Sequence, residues 1–289
     1  MGTEVALTAT AATPLSAGTR YRPISGRWPV VWAVLDALVL AKRSVLETVR
    51  VPELIMFVAI QPVMFVLLFR YVFGGAIQVP GGQYVNYLMP GIFVQTVAFG
   101  GVTTAIGLAQ DMQRGIIDRF RSLPMSSSAV LTGRTLADLA RNLFTVIIML
   151  LVGFAVGFRP GGTPFEFLLG IVVLLGVSFA FSWISAFIGL LVRSVEAAQS
   201  GGFIWLFPLT FASSAFVPVA TMPSWLRGFA QHNPVSVLAD ALRGLFHVNP
   251  ALTTGDTRWA LIQSAAWIAG ILLVFIPLSV IRYRNTMAR

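Results

Sequence analysis

Ile116, Ile117, Phe120 and Leu123 fall at i, i+1, i+4 and i+7, a spacing that gathers side chains into one stripe on a helix. Arg114, Asp118 and Arg121 follow at intervals of four and three on another face, with Gly115 and Arg119 between them. Pro124 stops that helix, and Ser126 to Ser128 can cap the next. A short helix of this kind has an apolar edge to cover. The bilayer surface and the groove of a soluble partner both fit, and the pattern alone leaves the two open. Asp36, Arg43, Glu47 and Arg50 recur at seven, four and three, which places them on one face of a second helix over Trp28–Arg50. A single charged face suits a helix lying on the membrane. As a spanning helix it would put Asp36, Lys42 and Arg43 into lipid at about 3 kcal/mol each.

Residue types for covalent or metal chemistry are scarce. There is no cysteine, and His232 and His247 stand far from other ligands, as ordinary loop or interfacial residues. The only lysine, Lys42, lies in Leu40-Ala41-Lys42-Arg43 without the glycine-rich turn that cradles phosphates. No His-Glu-x-x-His, paired acids or nucleophile beside a base is present. The expectation is a chain that is not an enzyme and holds no metal or cofactor of its own.

The elements that must position these residues are apolar. Of 289 residues, 56% are hydrophobic and 11% charged, against about 25% charged in soluble domains, and the mean hydropathy is +0.81. So few charges cannot cover a water-facing surface, whereas a bilayer removes that requirement. The net charge of +9 does not indicate nucleic acid, because the nineteen arginines are scattered between apolar runs rather than gathered on one face. Residues 1–27, rich in Ala, Thr, Ser and Pro, read as a disordered cytoplasmic tail ahead of one membrane domain, 28–289.

Six segments are long enough to cross about 30 Å of hydrocarbon: Leu54–Phe73, Tyr87–Ala109, Leu136–Phe158, Phe167–Val192, Gln199–Ala220 and Trp259–Ile281. Asp138, Arg141 and Asn142 blur the start of the third, and Gly201, Gly202 and Pro208 interrupt the fifth. Fifteen basic residues precede span one, separate spans two and three, or follow spans four and six. Five (Arg70, Arg159, Arg227, Arg243 and Arg258) lie on the other side. The asymmetry predicts cytoplasmic N and C termini. The middles of the spans carry no ionisable residue, with Glu53, Asp111, Asp138, Glu166 and Glu196 at or near the ends. That disfavours an ion-coupled secondary transporter.

Between spans five and six, Ser224–Phe229 reads as one short helix and Pro234–Leu245 as another, with Asn233 as its cap. Both are too short to span and too apolar for a solvated loop, which suggests half-inserted outer helices. Spans one, two and five also carry unusual polar and aromatic content: Gln61, Phe65, Phe69, Gln95, Phe99, Trp205, Phe207 and Phe211. These are the candidate lining of a pathway for flat, lipophilic cargo, cations included.

Four strings in order resemble the ABC-2 type permeases, and more closely their daunorubicin-resistance type of drug-efflux permease. They are Val51-Pro52-Glu53-Leu54 leading to Gln61-Pro62-Val63-Met64-Phe65; Tyr87-Leu88-Met89-Pro90-Gly91; Gly115 through Pro124; and Pro218 with Met222-Pro223-Ser224-Trp225-Leu226, Asn233-Pro234-Val235-Ser236 and Asp240-Ala241-Leu242-Arg243. The resemblance implies an all-α integral membrane fold: six transmembrane helices, an N-terminal interfacial helix, a cytoplasmic coupling helix at Arg114–Leu123 and outer re-entrant short helices. It also implies a separate ATP-binding cassette ATPase subunit holding ATP and Mg, a second permease copy or paralogue, and a bacterial plasma membrane, which the Arg-for-Lys bias of a GC-rich genome fits. The expected activity is export of a lipophilic drug-like or lipid substrate, with glycolipid or polysaccharide export as the alternative.

Overall fold

The computed structural model describes residues 52–77, 79, 83–114, 127–248 and 256–287. The tail, the surface helix carrying Asp36, Arg43, Glu47 and Arg50, and residues 115–126 of the coupling segment lie outside the described residues.

Every described element is helical. In chain order they are α1 (Pro52–Leu67, continued by a π-helix at Leu68–Phe73), α2 (Tyr84–Gly100), α3 (Val102–Gln113), α4 (Ser127–Ala155), α5 (Pro164–Leu191), α6 (Val195–Phe211), α7 (Ser224–His232), α8 (Pro234–Leu245) and α9 (Thr257–Met287). The caps are encoded locally. Thr163 and Glu166 form a capping box with Pro164 at the first turn of α5, Ser194 accepts from the Ala197 amide at α6, and Asn233 accepts from the Val235 amide at α8.

Four of the described helical stretches are long and apolar enough to cross a membrane: Tyr84–Gln113, Leu131–Ala155, Pro164–Leu191 and Thr257–Tyr283. The first, α2 and α3 together, is the centre of the bundle, with 83% of its most apolar window buried. α9 lies at the periphery, with 11% buried, as a helix wrapped by lipid would. One expected span is shorter than the hydrocarbon: α6 stops at Phe211 after 17 residues instead of running to Ala220. α1 with its π-helical continuation covers the expected Leu54–Phe73. The third begins at Ser127 rather than Leu136, so Asp138 is not at its end but eleven residues inside it. It is buried there against α3, because a helix long enough to pack along the whole bundle carries its polar first half into contact with Thr103 and Thr104.

α6 ends where Pro208 interrupts its ladder, and the chain then turns through Ala212–Phe216 while Ser213 to Phe216 stay buried. Backbone that is neither helical nor wet must find partners among side chains. Asn233 Nδ2 donates to the carbonyls of Leu209 (2.7 Å) and Ala212 (3.0 Å), Ser236 Oγ accepts from the Ser214 amide (2.7 Å), and the Tyr84 and Tyr87 hydroxyls donate to Phe216 (2.9 Å) and Ser214 (2.7 Å).

Arg243 completes the set. It was counted among the basic residues of the outer side, and it is fully buried. Its guanidinium lies over the Tyr87 ring, 3.6 Å from the centroid, and donates to Asp240 (2.6 Å), the Ser214 carbonyl (2.8 Å), Ser214 Oγ (3.1 Å) and the Tyr87 carbonyl (3.1 Å). That last carbonyl lies three residues before Pro90, where the α2 ladder is disturbed. Arg243 is buried because only a planar fork with five donors can satisfy a bent helix and a turn at once. At the same crossing, a Cβ on Gly91 would collide with the Ala215 carbonyl, so the close approach requires glycine.

Arg243→Leu should lower stability by about 3–5 kcal/mol, since it removes a fully buried guanidinium that bonds Asp240, Ser214 and the Tyr87 carbonyl at once. Arg258→Leu, at an exposed position, should stay within about 0.5 kcal/mol. Thermal unfolding in detergent, followed by circular dichroism, checks the contrast.

Candidate functional site

Five helical segments frame a cavity of about 160 Å³. Gln61, Pro62 and Phe65 come from α1, and Gln95, Thr96, Phe99 and Gly100 from α2. Val102, Thr103 and Ile106 come from α3, Asn142 and Thr145 from α4, and Phe203 from α6. A Cβ on Gly100 would strike the Asn142 carboxamide, so glycine there lets α4 close against α2 and form the floor.

The junction of α2 and α3 is a tight turn at Gly100-Gly101, where the Thr103 hydroxyl takes up the Gly100 carbonyl at 2.7 Å. Beneath it lies a polar cluster. Arg141 donates to both Asp138 and Thr103 Oγ1, Thr104 Oγ1 donates to Asp138, and Asn142 Nδ2 donates to Ser178 Oγ at 2.6 Å. Closer to the end of α3, Asp111 pairs with Arg134. Both charges of the inner pair are met, so the cluster is a strut between α3 and α4 rather than a free carboxylate of the kind that carries protons.

Of the eight candidate pathway residues, Gln61, Phe65, Gln95 and Phe99 line this cavity together. Phe69, Phe207 and Phe211 stand behind them in a chain of touching rings. It runs through the stacked pairs Phe65–Phe69 (6.1 Å between centroids), Phe69–Phe216 (4.6 Å), Phe216–Phe211 (5.3 Å) and Phe211–Phe207 (5.6 Å) to the edge-on pair Phe207–Phe99 (5.4 Å). Trp205 is not brought to the cavity. It packs edge-on against Phe181 of α5, 5.5 Å away, since two positions from Phe203 or Phe207 is the far side of a helix. Sequence reasoning missed Thr96, Thr103, Asn142 and Thr145, and it also missed Phe203 and Phe216. The i, i+4, i+8 spacing of Phe203, Phe207 and Phe211 was a signal for one of these.

At the other end of the bundle, His247 sits in the left-handed region (φ 46°) after α8, and its Nε2 lies 3.0 Å from Glu166 Oε1. This is a clasp between α5 and α8, and no group of three or more metal-ligating residues exists among the described residues. Arg114, the described end of the coupling segment, is exposed and closes α3.

The profile of the ABC-2 type transporter family matches residues 36–247. The chain belongs to that family. It is similar to the daunorubicin resistance ABC transporter permease protein DrrB1 of Streptomyces coeruleorubidus, 32% identical over 97% of this chain and 98% of the relative. A probable doxorubicin resistance ABC transporter permease protein, DrrC of Mycobacterium tuberculosis, is 28% identical over 76% and 78%. The probable multidrug ABC transporter permease YbhR of Escherichia coli is 22% identical over 65% and 51%. This ABC-2 protein is therefore a multi-pass membrane permease component of an ABC transporter, related to drug-resistance permeases and distinct from the ATPase subunit with which the family works.

Asp138→Ala in this permease should cost about 3 kcal/mol, because Arg141 keeps its charge and loses its carboxylate. The double change with Arg141→Met should recover part of that loss. A double-mutant cycle on unfolding midpoints gives the coupling.

Proposed function

We propose that the chain is the transmembrane half of an exporter that moves lipophilic, drug-like molecules out of a bacterial cell, across the plasma membrane, driven by a separate ATPase subunit. The observation that carries this reading is the meeting of Gln61, Phe65, Gln95 and Phe99 in one apolar cavity between helices of different spans. The full-length likeness to a daunorubicin resistance permease supports it.

In this reading α1 and α6 complete six spans, with α7 and α8 half-inserted on the outer side. Both termini are cytoplasmic. Arg141 and Arg243 have buried partners and leave the tally of charges, so fourteen basic residues stand against four. Arg114, Gly115, Ile116, Ile117, Asp118, Arg119, Phe120, Arg121 and Leu123 dock into the ATPase, helix in groove, and the surface helix at 28–50 moves with them. Two permease chains sit above two ATPases, and ATP binding shifts the population between inward- and outward-facing packings. Substrate lines its path with Gln61, Phe65, Phe69, Gln95, Phe99, Phe207 and Phe211, and with Trp205 only where another packing turns α6.

Inverted vesicles holding the permease and its ATPase should accumulate a lipophilic dye on ATP addition. Gln61→Ala, Gln95→Ala and Phe207→Ala combined should cut the rate by roughly tenfold with subunit assembly intact; an unchanged rate rejects the lining. Phe120→Asp should weaken ATPase docking by about 2 kcal/mol, close to thirtyfold, measured by co-purification at graded salt.

A further inference from the structure

Gln95 is a polar side chain of the cavity wall whose needs the described protein groups leave unmet. Its relative exposure is 5%, it faces the cavity from α2, and among the described residues its carboxamide has no hydrogen-bond partner. Thr96 Oγ1, beside it on the wall, is buried and equally unpartnered. Buried polar groups in folded proteins are almost always paired, so a cavity wall holding the unpartnered Thr96 hydroxyl and a Gln95 carboxamide open to the cavity suits something polar that enters it.

The rest of the wall restricts what that is. Among the described residues, no Asp, Glu, Lys, Arg or His lines the cavity. Asp138 and Arg141, next to the wall residues Asn142 and Thr103, are spent on each other and on Thr103 and Thr104. Phe65, Phe99 and Phe203 offer ring faces, with Phe99 and Phe203 5.8 Å apart. A cation entering would lose its hydration and find no carboxylate, and attraction to a phenylalanine ring does not make up for that loss. A volume of about 160 Å³ matches apolar cavities that hold one benzene, about 150 Å³. It is too small for a drug-sized molecule, so the remainder of a larger cargo would extend through the open side.

We infer that the cavity binds one uncharged planar ring bearing a hydrogen-bonding substituent, such as a phenol, aryl ketone or aryl amide. Gln95 meets the substituent, and the phenylalanine rings take the ring faces. This deepens the export reading, on which its role in transport rests, and narrows the cargo expected from sequence by removing cations from the cavity itself. The site discriminates through the orphan amide: a ring without the substituent leaves Gln95 as unpaired as before, whereas the substituted ring satisfies it.

The test uses the purified chain in lipid nanodiscs without ATPase, and three fluorine-NMR probes of one ring each: para-fluorophenol, fluorobenzene and para-fluorophenyl trimethylammonium. Empty nanodiscs supply the partition background. Para-fluorophenol should bind roughly tenfold more tightly than fluorobenzene, and the ammonium should show no protein-dependent broadening. Gln95→Leu should abolish the preference for the phenol over fluorobenzene. Gln95→Glu should create binding of the ammonium, a gain that a misfolded variant cannot produce. Phenol binding that ignores Gln95→Leu, or ammonium binding to the unaltered chain, overturns the inference. If the selectivity appears and ATP-driven export does not, the export reading fails and the site stands; export without the selectivity gives the reverse.

Discussion

A chain crossing hydrocarbon can leave its helical path only where other groups take over its hydrogen bonds. Ala212–Phe216 leaves that path, and the packing around the cavity follows from how it is satisfied. Arg243, Tyr84, Tyr87, Ser236 and Asn233 reach the turn from α2, α8 and the residue before α8. Their joint effect is to pin Phe216, whose ring stacks on Phe69 and Phe211 and so ties α1 to α6. Without the turn there would be no fixed distance between these helices, and the aromatic wall behind the cavity would have no frame.

The same logic runs through the junction of α2 and α3. Gly100 permits the close approach of Asn142, Thr103 bonds the Gly100 carbonyl, and Arg141 and Asp138 brace the underside. Placing an ion pair inside a membrane protein is costly unless each charge is met. Here the pair also keeps the space above it neutral, because its charges are used before they reach the cavity. Strut and cavity share Thr103, so a change in one is felt in the other.

α3 has a further place in the proposed transport cycle. It runs from the cavity floor to Arg114, where the proposed docking segment begins, and Asp111 and Arg134 hold its far end against α4. A push on the segment that follows would be carried along a short rigid helix to Thr103 and Ile106 in the cavity wall. The central helices are the most buried of the molecule and α9 among the least. A displacement would therefore pass through the core while lipid-facing helices re-sort around it.

The membrane class, the four long spans, the two short helices α7 and α8 and the absence of a phosphate cradle could all be read from composition, periodicity and capping residues, since each depends on neighbours within a few turns of chain. Four of the eight residues singled out from the sequence line one cavity for the same reason: polar and aromatic residues in apolar helices are conspicuous along the chain. What could not be read was direction around the helix axis. Trp205 belongs to the same helix as Phe203 and Phe207 and faces away from them; Asp138 looked like the edge of a span and lies within one; Arg243 looked like an outer charge and holds the bundle together. Such placements are set by contacts between residues a hundred or more positions apart, as between Arg243 and Tyr87, and no local pattern of residue types records which side chain a distant turn will require.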